Sequence, residues 1–361
     1  MLRDELPPEK GQQSFSLLSR ILRSIDGCKL EIVLDDKPEE DKIKVVDIYD
    51  KVSERFPLYS WREPVKGRVV VTPTGSSYSH QGVVVELIGV ASTFREVESR
   101  VVFLRQERQF EPDTLNQSTP FEFIFSAPKE HESYHGIYAK VKYCVQATVK
   151  QRIKSASVKE EVWVHRVDAA LSESQPDASA HMNYFRETCF GPESIAMNVG
   201  VDNVLHIEFR YDKKIFHLAE RVLGKVEYKV ADMDIAYGEV GLVRKEFLAP
   251  GQAGETMESE TLQKFEVMDG TPIVEEVVPI RLYLKSVPRL TPTYMNVENL
   301  FSVRYFLNLV LVSQEGKRYF KQQEIQLYRR TGQERPATSS SPGPPVKPAS
   351  GDVDTKGGWS A

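Results

Sequence analysis

The chain predicts an all-β fold, two tandem antiparallel β-sandwich lobes with a disordered C-terminal tail, and three observations carry that reading. Apolar and polar residues alternate with a period of two in both halves, most plainly at Val303, Tyr305, Leu307, Leu309 and Leu311 against Ser302, Arg304, Phe306 and Asn308. Turn residues punctuate nearly every gap, as Gln314 to Lys317 does with Gly316 before Tyr319 and Phe320 restart the pattern. Two pairs of strings also echo each other. Val65-Lys66-Gly67-Arg68-Val69 returns as Val222-Leu223-Gly224-Lys225-Val226, and Val141-Lys142-Tyr143 as Val303-Arg304-Tyr305. Both echoes fall about 160 residues apart, the mark of a duplicated unit.

Residues 1–27 form an N-terminal extension in which Phe15, Leu18, Leu22 and Ile25 stand at helical spacing across 14–26, which predicts a short amphipathic helix packed on a sheet. Residues 28–170 form the first lobe, with strands predicted at 30–34, 69–71, 83–90, 101–104, 121–125, 138–149 and 158–167. Residues 171–198 are a linker, because 171–192 is rich in Ser, Ala, Asp and Pro and has no sustained periodicity. The second lobe, 199–330, repeats the procession at 205–211, 222–230, 235–243, 264–268, 280–284, 301–312 and 319–328. One-sided alternation means that each sheet has a wet face and pairs antiparallel. From 331 to 361 Ser, Pro, Gly and Lys dominate, and such a segment buries too little apolar surface to offset its chain entropy.

With 361 residues and 40% hydrophobic content there is material for two cores. A formal charge of −5 gives no global basic field, which argues against nucleic acid as a partner. Cys28, Cys144 and Cys189 are widely spaced and form no CxxC pair, so no disulfide framework or cysteine zinc site is expected and a reducing cytosol fits. No apolar run reaches the roughly 20 residues of a membrane span, and the acidic N-terminus does not read as a signal peptide. Arg318, Lys321, Arg329 and Arg330 make a modest basic patch that solvates strand ends.

His131-Glu132-Ser133-Tyr134-His135 spells HExxH, which places two histidines on one metal only when a helical turn stacks them. Pro128 upstream, Gly136 immediately after and the strand opening at Tyr138 leave no space for that helix, so the motif is expected in a turn with no metal. No GxSxG, GxxxxGK, GxGxxG or aspartate-rich calcium loop occurs. A β-sandwich enzyme would need convergent carboxylates and aromatics on one face, and none is traceable. No cofactor and no catalytic residue is predicted.

The run Phe301-Ser302-Val303-Arg304-Tyr305-Phe306-Leu307-Asn308-Leu309-Val310-Leu311-Val312, then Arg318-Tyr319-Phe320-Lys321-Gln322-Gln323-Glu324-Ile325, resembles the C-terminal signature of the arrestin-like retromer subunits, the vacuolar protein sorting-associated protein 26 family. Further matching strings, among them Leu30 to Leu34, His80 to Val83, Leu205 to Phe209, Phe265 to Gly270 and Pro279 to Leu282, extend the resemblance over most of 28–330. It implies an arrestin-like fold and a non-enzymatic subunit. Such a subunit binds the helical-solenoid subunit directly, shares a complex with a phosphoesterase-fold subunit, and joins sorting nexins in retrieving transmembrane cargo tails. It is cytoplasmic, on the cytosolic face of endosomes, and reaches the membrane through its partners. The corresponding subunit of the related retriever complex is the alternative.

Carried over residue by residue, the resemblance assigns solenoid binding to Val267, Met268 and Asp269. It assigns sorting-nexin and cargo binding to Val162, Trp163 and Phe301, by strand addition along the segment from Val158 to His165. Trp163 lies on the opposite face of its strand from Val162 and Val164, which predicts an exposed indole if those two are buried. Residues 1–27, the long segment 171–192, and the turn Tyr59-Ser60-Trp61-Arg62-Glu63 depart from the family pattern. The last replaces a more acidic turn of a nexin-binding surface.

Overall fold

The computed structural model describes residues 23–329 apart from 26, 36, 38–41, 47–52, 96–97, 154, 167–194, 202 and 252–253. The first half holds β1 (Arg23–Ile25), β2 (Cys28–Leu34), β3 (Lys42–Val46), β4 (Ser53–Ser60), β5 (Val65–Pro73), β6 (Tyr78–His80), β7 (Val83–Thr93), β8 (Ser99–Phe110), β9 (Asp113–Leu115), β10 (Thr119–Phe125), β11 (Tyr134–His135), β12 (Ala139–Val149) and β13 (Ala156–His165). The second holds β14 (Ile195–Val201), β15 (Leu205–Tyr211), β16 (Ile215–His217), β17 (Arg221–Ala231), β18 (Ile235–Gly251), β19 (Gly254–Asp269), β20 (Val277–Tyr283), β21 (Tyr294–Val297), β22 (Phe301–Ser313) and β23 (Arg318–Tyr328).

Their pairing repeats. In the first lobe one sheet runs β1-β2-β5-β10 and the other β3-β4-β13-β12-β7-β8, with β11 added on β12. In the second, β14-β15-β17-β20 faces β16-β23-β22-β18-β19, with β21 added on β22. Even the exception is shared: β4 runs parallel to β13 as β16 runs parallel to β23, while the other pairs are antiparallel. The echoed strings occupy equivalent strands. A Cβ on Gly67 in β5 would stand 2.4 Å from the Val33 carbonyl, and one on Gly224 in β17 2.5 Å from that of Arg210, so both positions exclude a side chain. The paired tyrosines do the same work. Tyr143 Oη donates to the His131 carbonyl at 2.7 Å and Tyr305 Oη bonds Thr291 Oγ1 at 2.8 Å, each pinning the chain that leads into its strand.

Alternation sets the core. On β12 every second residue from Ala139 to Val149 is buried, and on β22 Val303, Tyr305, Leu307, Leu309 and Leu311 face inward against Phe209, Val226 and Tyr228 of the opposing sheet. Both lobes belong to one compact unit with a continuous apolar core.

Three expectations need correction. The part of the 14–26 helix that is described, Arg23–Ile25, is a strand that turns at Gly27 (φ +98°) to pair with β2; the rest lies outside the described residues. The linker ends earlier than expected, because Ile195–Val201 pairs with β15; residues 167–194 and the tail lie outside the described residues. Strands β3 and β4 were missed: β3 alternates Lys42-Ile43-Lys44-Val45 but is only five residues long, and Glu54, Arg55 and Pro57 break the apolar alternation of β4. The only helical turn among the described residues is a short 3-10 segment, Leu284–Ser286.

Candidate partner-docking surfaces

At the end of the β18–β19 hairpin, Gly238 pairs with Met268 and Glu239 with Glu266, which leaves Val267 as the extra residue of a β-bulge. The bulge turns both side chains over Gly238, where Val267 Cγ2 and Met268 Cε each come 3.6 Å from the position a Cβ would take. Both are half-buried, and Asp269 is exposed. Gly270 (φ +91°) closes the strand with its N–H on the Ala236 carbonyl at 2.8 Å, in a left-handed conformation that glycine adopts freely. The next segment presents Ile273 and Val274, 77% and 49% exposed. It is firmly mounted: the Glu275 N–H donates to the Tyr228 carbonyl, the Tyr228 N–H to the Glu276 carbonyl, and Thr271 Oγ1 accepts from the Ile235 N–H. Sequence reasoning singled out 267–269 but missed Ile273 and Val274. Their signal was an aliphatic pair after Pro272 in an otherwise polar turn.

The second candidate set sits at the seam between lobes. Phe301, 2% exposed, opens β22 and packs its ring on Tyr134, with centroids 6.2 Å apart. Val162 is buried in the first lobe. Trp163 is only 6% exposed, which corrects the exposed indole: Phe56 from β4 stacks on it at 5.9 Å and His135 packs edge-on at 5.1 Å. Both faces of β13 are therefore covered at that point, one by the core and one by this aromatic group. The edge is another matter. β4 pairs with β13 only at Trp163, Val164 and His165, so among the described residues strand pairing on that side stops short of Ala156 to Val162. These three candidates are thus brought near the seam, but none presents its side chain to solvent.

The HExxH stretch turns out to join the two lobes. It is loop and short strand rather than the expected turn, and His131, Glu132, Ser133 and Tyr134 reach the second half while His135 packs within the first. Glu132, nearly fully buried, takes a forked pair from Arg329, with Nη2 to Oε1 at 2.8 Å and Nε to Oε2 at 3.0 Å, and also accepts the Arg166 N–H. The Ser133 carbonyl accepts from Tyr294 Oη at 3.2 Å. Glu246 of β18 accepts from Tyr134 Oη at 2.6 Å and from the N–H groups of Ile137 and Tyr138 at 2.7 and 2.8 Å. His131 Nε2 meets Glu298 Oε1 at 2.9 Å. Gly136 is obligatory here: a Cβ would stand 1.9 Å from Glu246 Oε1 and 2.4 Å from Tyr134 Cε1. Arg329 is thereby removed from the predicted surface patch, since its guanidinium is buried against Glu132.

The electrostatics follow burial. Burial holds the His165 imidazole well below its usual range, and the Arg329 charge pushes the same way, so that ring is neutral. Burial drives the Tyr134 and Tyr294 phenols far upward, and they act as neutral donors. Burial would raise the Glu161 carboxyl, yet His135, at 3.3 Å, and Lys142 hold it low. The two histidines of HExxH diverge to different carboxylates. Among the described residues no group of three or more His, Cys, Asp or Glu is placed to hold a metal. No helix among them is long and apolar enough to cross a membrane.

Two repeated antiparallel sandwiches, joined by a buried polar latch and bearing an apolar bulged turn at one end, define an arrestin-type scaffold. The family model for vacuolar protein sorting-associated protein 26 matches residues 25–316. Curated relatives of that name come from Dictyostelium discoideum, 36% identical over 311 residues (84% of this chain, 82% of the relative), and from Plasmodium falciparum, 34% over 320 residues (87% and 99%). Vacuolar protein sorting-associated protein 26B of Danio rerio is 32% identical over 310 residues (84% and 86%). The chain belongs to the vacuolar protein sorting-associated protein 26 family, the arrestin-like subunits of retromer.

Proposed function

We propose that this chain is the non-catalytic arrestin-like subunit of a retromer cargo-recognition complex. It docks on the helical-solenoid subunit through Val267, Met268 and Asp269, and shares the complex with the phosphoesterase-fold subunit. With a sorting nexin it holds a transmembrane cargo tail for retrieval from endosomes. The observation that carries the docking site is the bulged end of β19, where a Val and an adaptable Met lie side by side next to exposed Ile273 and Val274 on a rigid mount. An apolar ridge of that kind fits a groove between helices of a solenoid. The cargo reading rests on the edge of β13 from Ala156 to Lys159, where among the described residues no strand pairs on the β4 side and an extended peptide can add by main-chain hydrogen bonds. In this reading Val162, Trp163 and Phe301 hold β13 and the seam in the shape that receives the peptide.

Pull-down and calorimetry of the purified chain with the solenoid subunit of the same organism test the docking site. Val267→Asp with Met268→Asn is expected to weaken binding at least about 100-fold, as loss of a central apolar anchor does, while far-UV circular dichroism and the unfolding transition stay close to wild type. Retained affinity in the double variant removes the site.

A further inference from the structure

We propose that the tip of the β12–β13 hairpin is a direct contact for anionic phospholipid membrane. Ile153 at that tip is 92% exposed, the most exposed of the large apolar side chains among the described residues. It follows exposed Lys150 and Arg152, and Lys154 comes next in the sequence. An aliphatic side chain left in water at a projecting turn gains free energy when it enters the interfacial layer of a bilayer. Neighbouring cations gain from a negative lipid surface at the same depth.

The strand end that leads into the tip is anchored. The Lys150 N–H donates to the Gly82 carbonyl at 2.8 Å, the Gln81 N–H donates to the Lys150 carbonyl at 2.8 Å, and Gln151 Nε2 donates to Tyr78 Oη at 2.7 Å. Ile153 therefore follows a strand end fixed at Lys150 and Gln151, which limits the ordering cost of its insertion. The turn offers one exposed aliphatic residue beside cations, which suits a fluid anionic headgroup layer better than a protein groove. Of the exposed acids on this end, Glu111 follows β8, two strands from β12 in the sheet order and so about 10 Å away, and Asp113 is paired with His80 of β6.

The tip opens directly into β13. A membrane-bound tip places the edge of β13 from Ala156 to Lys159 within about 20 Å of the lipid, counting about 3.3 Å per strand residue. A cargo tail emerging from the bilayer reaches that edge within its first several residues.

Vesicle flotation with the full chain tests this at about 0.1 M salt. The probes are phosphatidylcholine vesicles with and without about a third phosphatidylserine. Binding is expected to the anionic vesicles and to be weak on the neutral ones. Arg152→Glu and Lys150→Glu are each expected to lower the partition coefficient about fivefold or more, the weight of one cation near an anionic surface. Ile153→Ser is expected to lower it severalfold, and Ile153→Trp to bind with a blue shift of its emission. Tip substitutions leave the folded core untouched, and the circular dichroism spectrum checks this. Failure of the wild type to float overturns the proposal. So does binding that Ile153→Ser leaves unchanged, because the protein would then adsorb by charge through another surface. Solenoid binding measured on the same variants is expected to be unchanged, which keeps this test separate from that of the docking site.

Discussion

Single side chains carry unequal loads in this molecule, and Asp212 illustrates how burial sets one. It follows the last residue of β15, where its Oδ1 accepts the Leu223 N–H at 3.4 Å, and burial, with Lys213 opposing, raises its carboxyl to about 6. A folded value above the unfolded one of about 4 means that the native state binds the proton more tightly. Stability from this group is therefore fullest below pH 4, falls as pH rises from about 4 to 6, and stays lowest above that. Asp212→Asn keeps an acceptor for Leu223 without the charge. It is expected to raise stability at pH 7.5 by about 2 kcal/mol and to flatten the profile between pH 4 and 6, read by denaturant unfolding across pH. Nothing in the sequence marked Asp212, because its desolvation comes from chain packed around it after folding. Gly67, Gly224, Tyr143 and Tyr305 were legible because the duplication printed them twice.

At the level of strands and turns, legibility followed one-sided burial. β12, β15 and β22 alternate cleanly and were found close to their observed bounds, whereas β3 and β4 carry charges and a proline and were not. That omission hid the environment of Trp163, since β4 brings Phe56 onto the outer side of the indole. The same period-two rule that placed Trp163 opposite Val162 is correct about direction and silent about what covers that direction. Trp163→Ala is accordingly expected to destabilise the fold by about 3–5 kcal/mol, the range for a buried large aromatic. A cargo-peptide titration has to be run well below its lowered melting temperature to separate binding from unfolding. A melting curve unchanged from wild type contradicts the buried indole. The HExxH string teaches a related lesson. Its local context excluded a helix, but its partners Glu246, Tyr294, Glu298 and Arg329 lie more than a hundred residues away. Only tertiary structure could reveal the latch.

For the whole molecule, the latch makes two similar lobes behave as one body. Glu132 and Arg329 are buried, so removing one partner strands the other charge: Glu132→Ala or Arg329→Ala is expected to cost about 3–5 kcal/mol. Glu132→Leu with Arg329→Met, which removes both charges and keeps apolar volume, is expected to recover most of that loss. Calorimetry of the wild type is expected to give one cooperative transition with calorimetric and van't Hoff enthalpies in agreement. Two separated transitions in the wild type show that the lobes are not coupled through this contact.

The latch also bears on how such a molecule came to be kept whole. Two copies of one ancestral sheet pair start out interchangeable, and either is free to be lost, shuffled or fused elsewhere. Once the first copy grew a loop whose carboxylate, carbonyl and amides bond Arg329, Tyr294 and Glu246 of the second, that freedom ended. An excised half would carry Phe301 or Tyr134 into water beside a stranded ionic group. Recombination between the lobes is thus selected against by solvation alone, before any demand from a binding partner applies.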